Sequence, residues 1–283
     1  MRCLLVLTFI IFAIPSSAQD QALCYEISNE RLGIENSYLF GTMHVMEEDH
    51  FFFPKKISKL LKRTEALCLE VKEISSTSMN PALLFDSTFS IKQYCDSNDW
   101  ERLTIWAKEF LLLNPKQFET TFRHAKPFLV LQFILSTSLP KNTKSHEIEL
   151  EKIANSRTLR LLELEGVEAQ YAIFDAIPYA DQLTFIFDAL TDTSQLKLDL
   201  LEMQGIYAKQ KLQELCVYAI KGFLKDYRTL FLDDRNKKWI TKMENMMASQ
   251  PTFFAVGAGH LCGGNGLIEL LKREGYTLKE IKL

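Results

Sequence analysis

The chain reads as an α/β protein: a mainly parallel central sheet built from two terminal βαβ units, with a large helical middle region. Three observations predict this. Residues 37–71 run as apolar strand, loop, helix and apolar strand. Residues 252–281 repeat that order. Between them lies a long stretch whose apolar residues recur at helical spacing. The strands of a βαβ unit run parallel, so their C-terminal ends share one edge of the sheet.

The elements follow from local pattern. Ala22–Ile27 is a first strand, and Asn29–Asn36 a polar turn containing Gly33. Tyr38–Val45 is a second strand with His44 near its end. Residues 46–53 form a loop with acids and three consecutive phenylalanines. Pro54 then opens a helix over Lys55–Thr64, as proline does at a first turn. Ala66–Val71 is the next strand. Helical spacing covers Asn98–Leu113, Pro115–Leu135 (broken or kinked at Pro127) and Ser145–Asn155. Thr158–Leu164 is a strand leading to Glu165. Helices are predicted over Glu168–Ile177, Ala180–Leu190, Ser194–Tyr218 and Phe223–Met247, the last with a break near Leu232–Asp234. Phe253–Val256 is a strand and Leu267–Arg273 a helix stopped by Gly275. Tyr276–Ile281 closes the sheet. Ser75–Pro81 and Leu139–Ser145 are candidate linkers. Residues 19–283 form one domain, with the helical part inserted over approximately 81–250.

The 283 residues are 47% hydrophobic and 24% charged, with a formal net charge of −3. There is no basic excess to attract nucleic acid and no acidic tail. Residues 1–18 have the layout of a secretory signal peptide: Arg2, an apolar run over Leu4–Ile14, then small residues to Ala18. The chain is therefore expected to be exported, to a periplasm or fully secreted. No later stretch is long enough to cross a membrane. Cys24, Cys68, Cys95, Cys216 and Cys262 are dispersed, which indicates neither a zinc ribbon nor a disulfide framework. Export permits a bridge, and Cys95–Cys216 is a candidate; Cys68 belongs to the core.

The chain has five histidines, and two share a frame. Gly41 precedes His44 by three residues, and Gly257 precedes His260 likewise, each after an apolar strand. Glu70 sits near the end of the strand parallel to that of His44, and Glu165 ends another. Ligands bind at this edge in open α/β sheets. Two histidines and one or two carboxylates can form the first shell of a divalent transition metal. The same residues can also do metal-free acid–base work. Asp233–Asn236 reads from spacing as a helix N-cap with a solvated face; alternatively Arg235 is a fixed cation for a carboxylate or oxyanion. His50, His124 and His146 lack the frame and read as surface or loop residues.

These motifs carry a resemblance. Residues 39–45, 164–170, Arg235-Asn236, 256–266 and Gly275-Tyr276 resemble the TraB/PrgY/GumN family, which includes the Tiki membrane proteases and has distant haem-associated and erythromycin-esterase-like relatives. The resemblance implies metal-dependent peptide hydrolysis outside the cytoplasm. His44, Glu70 and His260 would hold the metal, manganese or cobalt by family type, with zinc also compatible. Glu70, Glu165 and Arg235 would serve catalysis, and a peptide or protein would be the substrate. Other implied readings are a protein that sequesters a peptide signal and a binder of haem or another small molecule.

Overall fold

The computed structural model describes residues 22–72, 80–139, 141–218 and 224–283. The expected signal peptide, and most of the 75–81 linker, lie outside the described residues. The main sheet contains β1 (Cys24–Asn29), β2 (Ile34–Thr42), β4 (Ala66–Leu69), β6 (Arg160–Glu163), β7 (Thr252–Gly257) and β8 (Thr277–Glu280). A two-residue ladder joins β3 (Met46–Glu47) to β5 (Thr143–Lys144). The sheet order is β6-β4-β7-β2-β1-β8. β6, β4, β7 and β2 are mutually parallel, while β1 runs antiparallel to both β2 and β8. The sheet is thus mainly parallel, as the sequence predicts.

The two βαβ units interleave instead of standing side by side. β2 and β4 are not neighbours, because β7 lies between them, with Thr42 opposite Gly257 on one flank and Leu69 opposite Ala255 on the other. β7 and β8 are likewise separated, by β2 and β1. Apolarity sorts the strands. Every residue of β4 and all but the last of β7 are buried, and these strands take central positions. The edge strands β6 and β8 contain no buried residue. A strand buried on both faces must read as a continuous apolar run, and these do.

The β1–β2 turn is a 3₁₀ segment, Glu30–Leu32, closed by Gly33 at φ 65°. Nothing stands near its missing side chain, so conformation alone requires glycine there. The main core wraps the sheet and includes Leu39, Phe40, Leu67, Phe253, Trp239 and Met243. A second cluster lies within the helical middle, built from Phe89, Trp106, Phe118, Ile134, Leu183 and Ile186.

Several sequence expectations need correction. The break expected at Pro127 is present, dividing 115–135 into Pro115–Phe122 and Pro127–Ser138, each started by its proline. The 194–218 helix is also two, Thr193–Ala208 and Leu212–Tyr218. Leu139–Ser145 contains β5, too short to leave a periodic signal. The expected break near 232–234 is a π-helical turn, Thr229–Asp233, running into the helix Asp234–Ser249. The disulfide joins Cys216 to Cys262, and Cys95 is free. Sequence spacing carries no pairing information; the packing of Leu212–Tyr218 against the loop after β7 decides it. Cys68 is buried, as expected. His50 and His124 are exposed, but His146 is fully buried. It stands within hydrogen-bonding distance of the Met43 and Phe52 carbonyls and the Tyr207 hydroxyl.

Candidate functional site

The four strand ends deliver their side chains to one edge. His44 follows β2 by two residues, Glu70 follows β4 directly, Glu165 follows β6 by two, and His260 follows β7 by three. Backbone pairing continues past the strands, with Leu164 N–H donating to Leu69 O and Glu165 N–H to Glu70 O, both at 2.9 Å. His44, Glu70 and His260 do converge. Glu70 Oε1 lies 4.0 Å from His44 Nε2 and 3.6 Å from His260 Nε2. The Gly257 N–H donates to the same oxygen at 2.8 Å.

The glycines of the two Gly-x-x-His frames do different work. A Cβ at Gly41 would stand 2.7 Å from Leu261 Cδ1 and 3.2 Å from Ala258 Cα, so it lets the two motif loops pack together. A Cβ at Gly257 would stand 3.1 Å from His44 Nε2 and 3.3 Å from Glu70 Oε1, inside the site itself.

Arg235 is not on a solvated face. Its side chain is 12% exposed and binds four groups at once, one of them the Phe231 carbonyl, which accepts from Nη1 at 2.9 Å. Nη2 donates to Glu70 Oε2 at 2.6 Å and to Glu165 Oε1 at 2.5 Å, and Nη1 donates to His260 Nε2 at 3.1 Å. The N-cap reading of Asp233–Asn236 fails because the helix runs through this segment without a side-chain cap. Glu165 is committed to Arg235 and to the Trp239 indole N–H, 3.2 Å away. It stands behind the arginine, while Glu70 faces the histidines.

Two contacts of the histidines had no assigned role in the sequence reading. His44 Nδ1 lies 2.9 Å from Glu147 Oε1, and His260 Nδ1 lies 2.6 Å from Asn236 Oδ1. Asn236 sits beside Arg235 in a segment already singled out. Glu147 follows a serine that caps its helix, a pattern shared with ordinary helix starts, and so left no distinct signal.

The charges sort into opposite states. Burial alone would raise the Glu70 carboxyl, but His260, Arg235, His44 and the Gly257 amide outweigh it and hold it at about 2. Burial pushes His260 down to about 3, with Arg235 and His44 assisting against the pull of Glu70. His260 is therefore neutral near pH 7, and the cations that keep Glu70 ionised there are Arg235 and His44. The His44 side chain is 61% exposed, and the neighbouring Glu147 and Glu70 carboxylates favour its charged form and raise it to about 9.

Among the described residues, no three His, Cys, Asp or Glu side chains already form a group that could hold a metal ion. The geometry shows why. Atoms sharing one ion at about 2.0–2.2 Å stand roughly 3.0–3.4 Å apart. The pairs here are at 3.6 and 4.0 Å, and Arg235 occupies the ground between Glu70 and His260. The donor chemistry nevertheless fits: the Nε2 atoms of two imidazoles lie 4.0 and 3.6 Å from one carboxylate oxygen. Above them opens a cavity of about 640 Å³. The helical middle supplies its apolar wall, including Leu135, Ile173, Phe174, Leu196, Leu200 and Phe231.

The chain is thus an α/β protein with a polar His–Glu–Arg–His centre at the C-terminal edge of its sheet, beside a cavity lined by apolar helix residues. A profile of the TraB/PrgY/gumN family matches residues 23–280, and the chain belongs to that family. Among curated proteins it is 23% identical to the uncharacterized protein YbaP of Shigella flexneri, over 85% of this chain and 89% of that one. It is 22% identical to the uncharacterized protein YbaP of Escherichia coli (strain K12), with the same coverage. No solved structure matches it significantly.

Proposed function

We propose that the protein is a metal-dependent hydrolase acting on a peptide bond outside the cytoplasm. The observation that carries this reading is the placement of His44 Nε2 and His260 Nε2 around one oxygen of Glu70, on the floor of an apolar cavity. His44, Glu70 and His260 would hold a divalent ion, manganese or cobalt by family resemblance or zinc. Such an ion supplies polarisation of a carbonyl and acidification of water. Arg235, braced by Glu165, offers a fixed cation to charge developing on a substrate oxygen. The apolar wall excludes water and accepts apolar side chains of the substrate. The peptide as substrate rests on the resemblance to the Tiki proteases.

A second reading is favoured by one observation. The environments of His44 and His260 push their pKa values in opposite directions, as in a metal-free acid–base pair. Metal analysis of the mature protein, beside a peptide-library screen, separates the two. Cleavage only with added Mn²⁺ or Co²⁺, together with loss of metal uptake in folded His44→Ala and His260→Ala variants, is the expected result. Cleavage unaffected by chelator would establish the acid–base pair instead. Tight peptide binding without turnover would indicate sequestration, and a Soret band on reconstitution would indicate haem binding.

A further inference from the structure

Each imidazole of the site is gripped through the nitrogen that faces away from Glu70. His44 Nδ1 meets Glu147 Oε1 at 2.9 Å. The Glu147 carboxylate is 3% exposed and also accepts from the Thr42 hydroxyl and, at 2.7 Å, from the Ser145 hydroxyl. An ionised carboxylate only accepts, so His44 Nδ1 carries the hydrogen and Nε2 is the nitrogen turned to the site. On the other side, Asn236 Nδ2 meets two carbonyl oxygens, of His260 at 3.2 Å and of Asn265 at 2.9 Å. Only an N–H can satisfy both, which settles the amide orientation and leaves Asn236 Oδ1 as the acceptor. His260 Nδ1 therefore donates to Oδ1, and its Nε2 lone pair points at Arg235 Nη1.

We infer that Glu147 and Asn236 are a matched pair of positioning residues, fixing each imidazole with its Nδ1 hydrogen outward and its Nε2 turned toward Glu70. Histidines that ligate a metal are held in this way, with the second nitrogen bound to a carboxylate or carbonyl oxygen. The purpose of the pair rests on the proposed metal centre; the geometry does not. Both residues lie outside the Gly-x-x-His motifs. Glu147 comes from the first turn of the helix His146–Ser156 and Asn236 from the helix Asp234–Ser249. The neighbouring His146 packs a ring nitrogen 2.9 Å from each of the Met43 and Phe52 carbonyls and donates its one N–H to one of them, so this helix start holds both the ring of His44 and the loop that carries it.

Two measurements test the inference. One is a Co²⁺ titration followed by visible absorption. The other is nitrogen-15 imidazole NMR of the metal-free protein at pH 10, above the His44 titration. In the parent, both histidines should carry hydrogen on Nδ1. Glu147→Gln should disturb His44 alone, and Asn236→Ala should disturb His260 alone. Each should keep the parental circular dichroism and bind Co²⁺ about 10–100-fold more weakly. Glu147→Asp, which keeps a carboxylate, should lose less than Glu147→Gln. Hydrogen on Nε2 in the parent, or unchanged His44 resonances in Glu147→Gln, overturns the inference. If the parent takes up no Co²⁺, the metal reading fails and NMR still decides the positioning. If Glu147→Gln does not fold, Ser145→Ala must shift the His44 resonances, and unchanged resonances again overturn it.

Discussion

Gly257→Ala should damage the site while sparing the fold. Gly257 has φ −51° and ψ 135°, open to any residue. Alanine there restricts the unfolded chain, an effect worth about 0.4–1 kcal/mol in favour of folding. The added methyl, however, lands 3.1 Å from His44 Nε2 and 3.3 Å from Glu70 Oε1. Comfortable contact is about 3.5–4.0 Å, so those groups must retreat by roughly 0.2–0.9 Å. The His44 side chain is 61% exposed and can move, so the strain is relieved by displacing it. Misplacement by about 1 Å costs on the order of 100-fold in rate, which makes about 10-fold the expected loss here. Gly41→Ala should do the reverse. Its methyl meets Leu261 Cδ1 at 2.7 Å and the Ala258 backbone at 3.2 Å in a fully packed region, an overpacking cost of about 1–3 kcal/mol. Urea unfolding and Co²⁺ titration of both variants make the comparison. Parental Co²⁺ affinity in Gly257→Ala, or parental stability in Gly41→Ala, would refute the division of labour between the two glycines.

Two further predictions follow from charge and covalent structure. Glu70 titrates lower in the folded protein than its ordinary value near 4.5, so the stability it contributes is present above that pH and is lost as pH falls toward about 2. Urea midpoints measured from pH 6 to 2 should fall across this window, and Glu70→Gln should flatten the slope. An unchanged slope would mean the ion cluster does not stabilise the fold. Cys216→Ser opens a bridge spanning 46 residues, and the chain-entropy relation puts the loss near 4 kcal/mol, measurable by denaturant titration under oxidising conditions.

The centre was partly legible because few patterns place rare side chains after apolar strands. His44 and His260 stood out through a shared frame, and Glu70 as a carboxylate in an otherwise apolar run. Arg235 was ambiguous because Asp-Asp-Arg-Asn looks the same whether it caps a helix or sits within one. Only burial against Glu70 and Glu165 distinguishes the two. His146 reads as a surface or loop residue and Glu147 carries no signal of its own, because a serine-capped polar helix start ordinarily faces solvent. Here the turn packs onto the loop after β2, more than a hundred residues away in sequence for Glu147 and Thr42. The disulfide partner of Cys216 was unreadable for the same reason: it depends on which loop the helix meets.

By itself the sequence determined the six strands of the main sheet, their mainly parallel direction and the edge at which His44, Glu70, Glu165 and His260 emerge. Those follow from local apolar pattern and from the fixed hand of βαβ crossovers, which need no knowledge of distant contacts. Tertiary structure alone decided the order of the strands, with β7 between β2 and β4, and hence that both histidines face one oxygen of Glu70. It also decided that Glu147 and Asn236 hold the far sides of the two rings. Such choices depend on burial and on hydrogen bonds between residues far apart in the chain, which local periodicity does not encode.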